Sequence, residues 1–150
     1  MFHPPLEMVV YCKNACISTV IRQTQMLAEL LNLHWDAICF NETRLGIVDN
    51  EMIGGHRLIS HRGNEYGGVA ILLHAKFANC IVTKRSFGNR ILAVRLRMGR
   101  WKFCIISIYM PHAGYPVSDL DHIYDNAINA VTWAYQHTRS VVIGGDFNTV

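Results

Sequence analysis

Val141-Val142-Ile143-Gly144-Gly145-Asp146-Phe147-Asn148 runs from three branched apolar residues into a glycine pair, and then into two short polar side chains around a phenylalanine. The apolar triplet reads as a short buried strand. The glycines break it into a turn that leaves Asp146 and Asn148 at its carboxyl end. The same grammar recurs upstream. Asp36-Ala37-Ile38-Cys39-Phe40 is a short buried strand closing on Asn41-Glu42-Thr43-Arg44. Trp101–Met110 is a long strand that must stop at Pro111, which has no N–H for a ladder, and this places Tyr109 at its end. Leu6–Cys12 reads as a first strand, with Asn14 just beyond it. Polar residues at the carboxyl ends of apolar strands, with helices between, mark an α/β fold whose sites assemble along that edge.

The connecting segments fit this frame. Ser18 or Thr19 is placed to cap a helix running to about Leu33, with Val20, Leu27, Leu30 and Leu31 as its apolar stripe. A weaker strand at His56–His61 and a buried one at Val69–Leu73 flank Gly67-Gly68. In Arg90–Met98, Leu92, Val94, Leu96 and Met98 alternate with Arg95 and Arg97, and Gly99-Arg100 predicts a two-residue type II′ hairpin. Ser118-Asp119-Leu120-Asp121 has the form of a capping box, opening a helix whose Leu120, Ile123, Tyr124, Ala127, Val131 and Ala134 share a face. No repeat, low-complexity tract or linker divides the chain. Residues 1–150 are therefore expected to be the N-terminal portion of a single domain, because nothing closes the fold after the last strand.

At 150 residues and 17.0 kDa, with 51% hydrophobic and 17% charged residues and a mean hydropathy of +0.15, the chain is too apolar to be disordered. No apolar run approaches the roughly 18–20 residues of a membrane helix. Residues 1–7 lack the basic-then-apolar pattern of a secretory signal. Five cysteines, an odd number without zinc-finger spacing, read as reduced thiols of an intracellular protein. The net charge is only +3, yet residues 76–102 hold eight Lys and Arg and no Asp or Glu. Such a field suits a polyanion, although a solvated strand face explains it as simply.

The residue types at the strand ends suggest a chemistry. Glu42 is a hard oxygen ligand suited to Mg²⁺. Asp146 is placed to orient or deprotonate a water, while Asn14, Tyr109 and Asn148 offer hydrogen bonds to phosphate oxygens without adding charge. Each alone has a plainer reading: a strand's surface exit for Glu42, a local turn for Asp146 and Asn148, a core aromatic for Tyr109. As an ordered set they fit metal-assisted phosphodiester hydrolysis.

Four stretches together, Ile38-Cys39-Phe40-Asn41-Glu42-Thr43-Arg44, Gly67-Gly68-Val69-Ala70-Ile71-Leu72, Ile106-Ser107-Ile108-Tyr109-Met110-Pro111 and Val142-Ile143-Gly144-Gly145-Asp146-Phe147-Asn148, resemble successive motifs of the endonuclease/exonuclease/phosphatase superfamily. The pattern is most similar to the endonuclease domains of non-LTR retrotransposons (LINE-type, RTE-like), relatives of apurinic/apyrimidinic endonucleases. The resemblance implies a two-sheet α/β sandwich, here without the family's C-terminal part and its terminal histidine. It implies that Glu42, helped by Asn14, holds Mg²⁺ or Mn²⁺. Tyr109, Asn14 and Asn148 would contact the scissile phosphate, and Asp146 would activate the attacking water. Arg44, Arg95, Arg97 and Lys102 would bind DNA. The product would carry a 3′-hydroxyl for a linked reverse transcriptase to extend, in the nucleus. Two alternatives share the residues: a phosphatase or phospholipid phosphodiesterase of the same superfamily, and a non-catalytic nucleic-acid-binding remnant. A glycosidase using Glu42 and Asp146 as its carboxylate pair leaves the asparagines and the basic segment without a role.

Overall fold

A computed structural model describes residues 7–45, 50–61 and 67–148. The described residues form nine strands, two α-helices and a short 3₁₀ turn (Ala75–Phe77), with the sheets and α-helices in four layers. One sheet has the strand order β1 (Val10–Asn14), β2 (Ala37–Asn41), β5 (Val69–Leu73), β4 (His56–His61), β3 (Asn50–Ile53). The other has the order β6 (Ile81–Ser86), β7 (Ile91–Met98), β8 (Trp101–Tyr109), β9 (Val141–Asp146). Helix α1 (Val20–Leu30) covers the outer face of the first sheet and α2 (Val117–Tyr135) that of the second. The expected two-sheet α/β sandwich is the observed architecture.

The layering explains the runs of apolar sequence. A strand with a sheet on one side and a helix on the other has no polar face. Accordingly Ala37, Cys39, Ile71 and Leu73 meet Leu92, Val94, Leu96 and Ile105 between the sheets. Ile38, Phe40, Leu58 and Leu72 pack under α1 with Met26 and Leu30. Ile91, Ala93, Ile106 and Ile108 lie under α2 with Ile123, Ala130 and Ala134. Leu92, Val94 and Leu96 do share the inward face, as their alternation predicts. Gly99 takes φ 58 while Arg100 does not take a positive φ, as the type II′ hairpin requires.

Several boundaries differ from expectation. The first strand is Val10–Asn14, so Asn14 ends it rather than following it; Leu6 lies outside the described residues. Thr19 does cap α1, accepting from the Arg22 N–H, but the helix ends at Leu30. Val20 and Leu31 are then mostly exposed, and Met26 takes the buried place. Pro116, not Ser118, occupies the N-cap of α2 without any side-chain cap, because the proline-set backbone already starts the helix one residue before Ser118. Tyr124 faces solvent, since the rotation that buries Ile123, Ala130 and Ala134 turns it outward. Strands β3 and β6 were not read from sequence. As edge strands with polar outer faces, they carry too little apolar signal.

The parallel pairs fix the site. β1 runs parallel to β2, and β8 parallel to β9. Asn14 therefore pairs with Asn41 at the end of one sheet, and Tyr109 with Asp146 at the end of the other. Among the described residues no helix is long and apolar enough to cross a membrane.

Candidate active site

β2 ends in a sharp corner. Glu42 and Arg44 adopt left-handed backbone, φ 54 and 50, on either side of a fully buried Thr43. The Thr43 and Arg44 N–H groups bond the carbonyls of Gly68 and Gly67, and the Ile17 N–H bonds the Thr43 carbonyl. These anchors hold a conformation that costs a non-glycine residue about 1–2 kcal/mol. The corner leaves Glu42 half-buried and within reach of the opposite sheet. Its Oε1 accepts the Tyr109 hydroxyl at 2.8 Å.

β9 ends by a different device. A side chain at Gly144 would press on the sulfurs of Cys12 and Cys39, and Gly145, at φ 136, would place a Cβ 1.9 Å from the Ile108 carbonyl oxygen. The glycine pair thus lets β9 close against β1 and β8 and present Asp146. Asp146 Oδ1 accepts from the Asn148 N–H (2.9 Å), and Asn148 Nδ2 donates to the Met110 carbonyl (2.6 Å). Buried Asn41 links the sheets. With its amide assigned so that nitrogen donates to the Phe40 carbonyl, its oxygen accepts from the Asp146 N–H at 2.7 Å.

The electrostatics follow from this packing. Burial, then the Glu42 carboxylate, push the Tyr109 hydroxyl pKa up, so it is a protonated donor at neutral pH. Its ring lies under the Arg90 guanidinium, which also stacks on Tyr115 and donates to the Tyr109 carbonyl. Beneath Asp146, hydrogen bonding from Cys39, aided by the Gly145 N–H, lowers the Cys12 thiol to about 6 against the cost of its burial. Buried Cys39 is raised.

The structure brings Glu42, Tyr109, Asp146 and Asn148 to one pole, with Asn14 at the adjoining strand end and Arg44 exposed two residues past Glu42. No group of three or more His, Cys, Asp or Glu suited to a metal occurs among the described residues. Two carboxylates beside neutral amides nevertheless suit Mg²⁺, which is often held by one or two carboxylates and keeps its waters and phosphate oxygens.

Arg95, Arg97 and Lys102 lie elsewhere. Lys102 precedes Tyr109 on β8 by seven residues, about 23 Å of extended chain, and pairs with Arg97 at the opposite pole. Arg95 stacks on Trp133, 3.8 Å from the ring centroid, and donates to the Trp133 carbonyl, so its charge serves the packing of α2. These three do not converge on the cluster; the pleat carries them under or beside α2. Two residues at the pole were missed. Asn41 looked like loop polarity, although a buried amide between two sheets needs partners. Arg90 belongs to the basic run and opens the segment Arg90–Met98 with no site role assigned, although as the residue preceding β7 it had to lie opposite the end of β8.

The sequence profile of the endonuclease/exonuclease/phosphatase family matches residues 14–150. The chain belongs to that family. No curated protein matches. Among solved structures, the chain is similar to the 3′ phosphatase NExo from Neisseria bound to product DNA hairpin (TM-score 0.68, 15% identity, 95% of this chain and 58% of that one). It is similar to the endonuclease domain of TRAS1, a telomere-specific non-LTR retrotransposon (TM-score 0.58, 14% identity, 94% and 60%). The human Nocturnin catalytic domain is a third (TM-score 0.63, 14% identity, 93% and 64%). At such identities the likeness is one of fold. The chain spans less than two thirds of the length of each of these structures.

Proposed function

We propose that this member of the family is a metal-dependent phosphodiester hydrolase that nicks DNA, of the kind found in LINE-type retrotransposons. The observation that carries the reading is the contact between sheets: the Tyr109 hydroxyl on Glu42, beside Asp146. Glu42 and Asn14 would hold Mg²⁺, or Mn²⁺, which when bound neutralises charge on the phosphate. The free Oδ of Asp146 orients a water and takes its proton as the oxygen attacks phosphorus. Asn148, fixed on Met110, holds the Asp146 carboxylate in register through its own N–H. Tyr109 turns its hydroxyl from Glu42 to a nonbridging phosphate oxygen and stabilises the charge that builds there. Arg44 and Arg90 flank the pole as phosphate contacts. The P–O3′ bond breaks, the leaving O3′ takes a proton from solvent, and the products are a 3′-hydroxyl end and a 5′-phosphate end. In a retroelement, a linked reverse transcriptase extends that end in the nucleus.

Support comes from the family, from the similarity to the TRAS1 domain, and from two carboxylates with neutral donors at one pole. Conversion of supercoiled plasmid to open circle in Mg²⁺ tests it. Glu42→Ala and Asp146→Ala are each expected to lower the rate about 10²–10⁴-fold. Nicking that persists in both variants rejects the site. The likeness to a 3′ phosphatase favours a second reading, removal of 3′-terminal phosphate, which a 3′-phosphorylated hairpin assayed in parallel would reveal.

A further inference from the structure

Beside the cluster, a cavity of about 290 Å³ opens between the β6–β7 turn and the first turns of α2. Its walls are Phe87 and Asn89 on the turn, Tyr115 on the approach to α2, and Asp119, His122 and Asn126 on the helix. Gly88 lets the two walls meet. At φ 68 it takes a backbone that L side chains avoid, and a Cβ there would lie 2.6 Å from the Asn126 side-chain nitrogen. Arg90 joins cavity and cluster, with its guanidinium carbon 5.0 Å from the Tyr109 ring centroid and 4.9 Å from that of Tyr115.

We infer that this cavity is a nucleoside subsite, which takes one base of the substrate strand next to the phosphate held at Tyr109, and that it prefers bases carrying an exocyclic amino group. The inference rests on the phosphodiesterase reading and adds a specificity determinant to it. Three features of the lining select this ligand. The half-buried Tyr115 ring with the Arg90 guanidinium stacked on it, and the edge of the buried Phe87, form a flat aromatic and cationic floor of the kind bases stack on. Asn89 and Asn126 carry both donors and acceptors, as the edge of a base requires. Asp119 is an acceptor that repels a phosphate but receives an amino group, the pairing by which carboxylates read cytosine. Arg90 lines the cavity and also touches the Tyr109 ring, so a phosphate connecting cavity and cluster would pass it. A free anion would be drawn to Arg90 alone and would leave Asp119, Asn89 and Asn126 without a partner.

Heteronuclear NMR titration of the full chain with 5′-deoxymononucleotides tests this. dAMP and dCMP are expected to shift the amides of Gly88, Asn89, Tyr115 and Asn126, with dTMP binding about tenfold more weakly. Asp119→Asn, which keeps the shape and supplies a donor, is expected to narrow the gap between dCMP and dTMP, while Asn126→Ala weakens all three. Equal binding of the three nucleotides, shifts confined to other residues, or the same shifts with inorganic phosphate alone would overturn the subsite. The two readings fail separately. Plasmid nicking without mononucleotide binding removes the subsite only. Binding in the cavity without nicking removes the proposed reaction and leaves a nucleoside site.

Discussion

Gly145 has no room for even a methyl group, because its φ of 136 and the Ile108 carbonyl oxygen both exclude one. Gly145→Ala is expected to cost about 3 kcal/mol or more in urea unfolding, with the loss centred on β9. Tyr109→Phe separates chemistry from stability. It removes one hydroxyl from a half-buried site, so stability should change by no more than about 1 kcal/mol while nicking falls about 10²-fold. Equal losses in both would make the hydroxyl structural. Arg95→Gln removes both the charge and the flat stack on Trp133, and should destabilise by about 1 kcal/mol without changing the salt dependence of DNA binding. A flatter salt slope would restore Arg95 to the DNA surface.

At the scale of elements, the central strands were legible in the sequence because they are buried on both faces. Val69–Leu73 contains no polar side chain and is buried throughout. The ends of elements were less legible. The capping signal at Ser118 competed with Pro116 two residues earlier, and the proline set the start of α2. The register of α2 shows in Ala130, which is wholly buried against the sheet. Ala130→Leu is expected to overpack that layer and cost about 1–3 kcal/mol, measured as a lower urea midpoint at unchanged slope. Glu42, Tyr109 and Asp146 were readable as strand-end residues because strands fix where their ends point. Arg90 and the cavity behind it were not readable, since they depend on how the β6–β7 turn meets α2 across many residues of sequence.

Across the whole molecule, the pole opposite the candidate site carries a packing unit of one tryptophan and two histidines. Trp35, His56 and His74 form a triangle with ring centroids 4.8–5.0 Å apart. His56 Nδ1 accepts the Ala75 N–H, and His74 Nδ1 accepts that of Lys76, whose ammonium pairs with Asp36. Burial, then the neighbouring His74, hold the His56 pKa below its ordinary 6.5. The unfolded chain therefore takes up a proton before the folded one does. This contribution to stability is complete above pH 6.5 and is lost as pH falls below it. The thermal midpoint should decline as pH falls below 6.5, and His56→Gln should flatten the decline. An unaltered profile would assign it to other groups.

The left-handed backbone of Glu42 sets fold against chemistry at a single position. Glycine there would relax the corner at the end of β2 and cost nothing in that conformation, but the carboxylate would be gone. A Glu42→Gly chain is thus expected to be at least as resistant to urea as the parent and catalytically dead. Backbone comfort and the proposed metal contact pull this one position in opposite directions, and comparing the urea midpoints of Glu42→Gly and Glu42→Ala isolates the backbone share of that conflict.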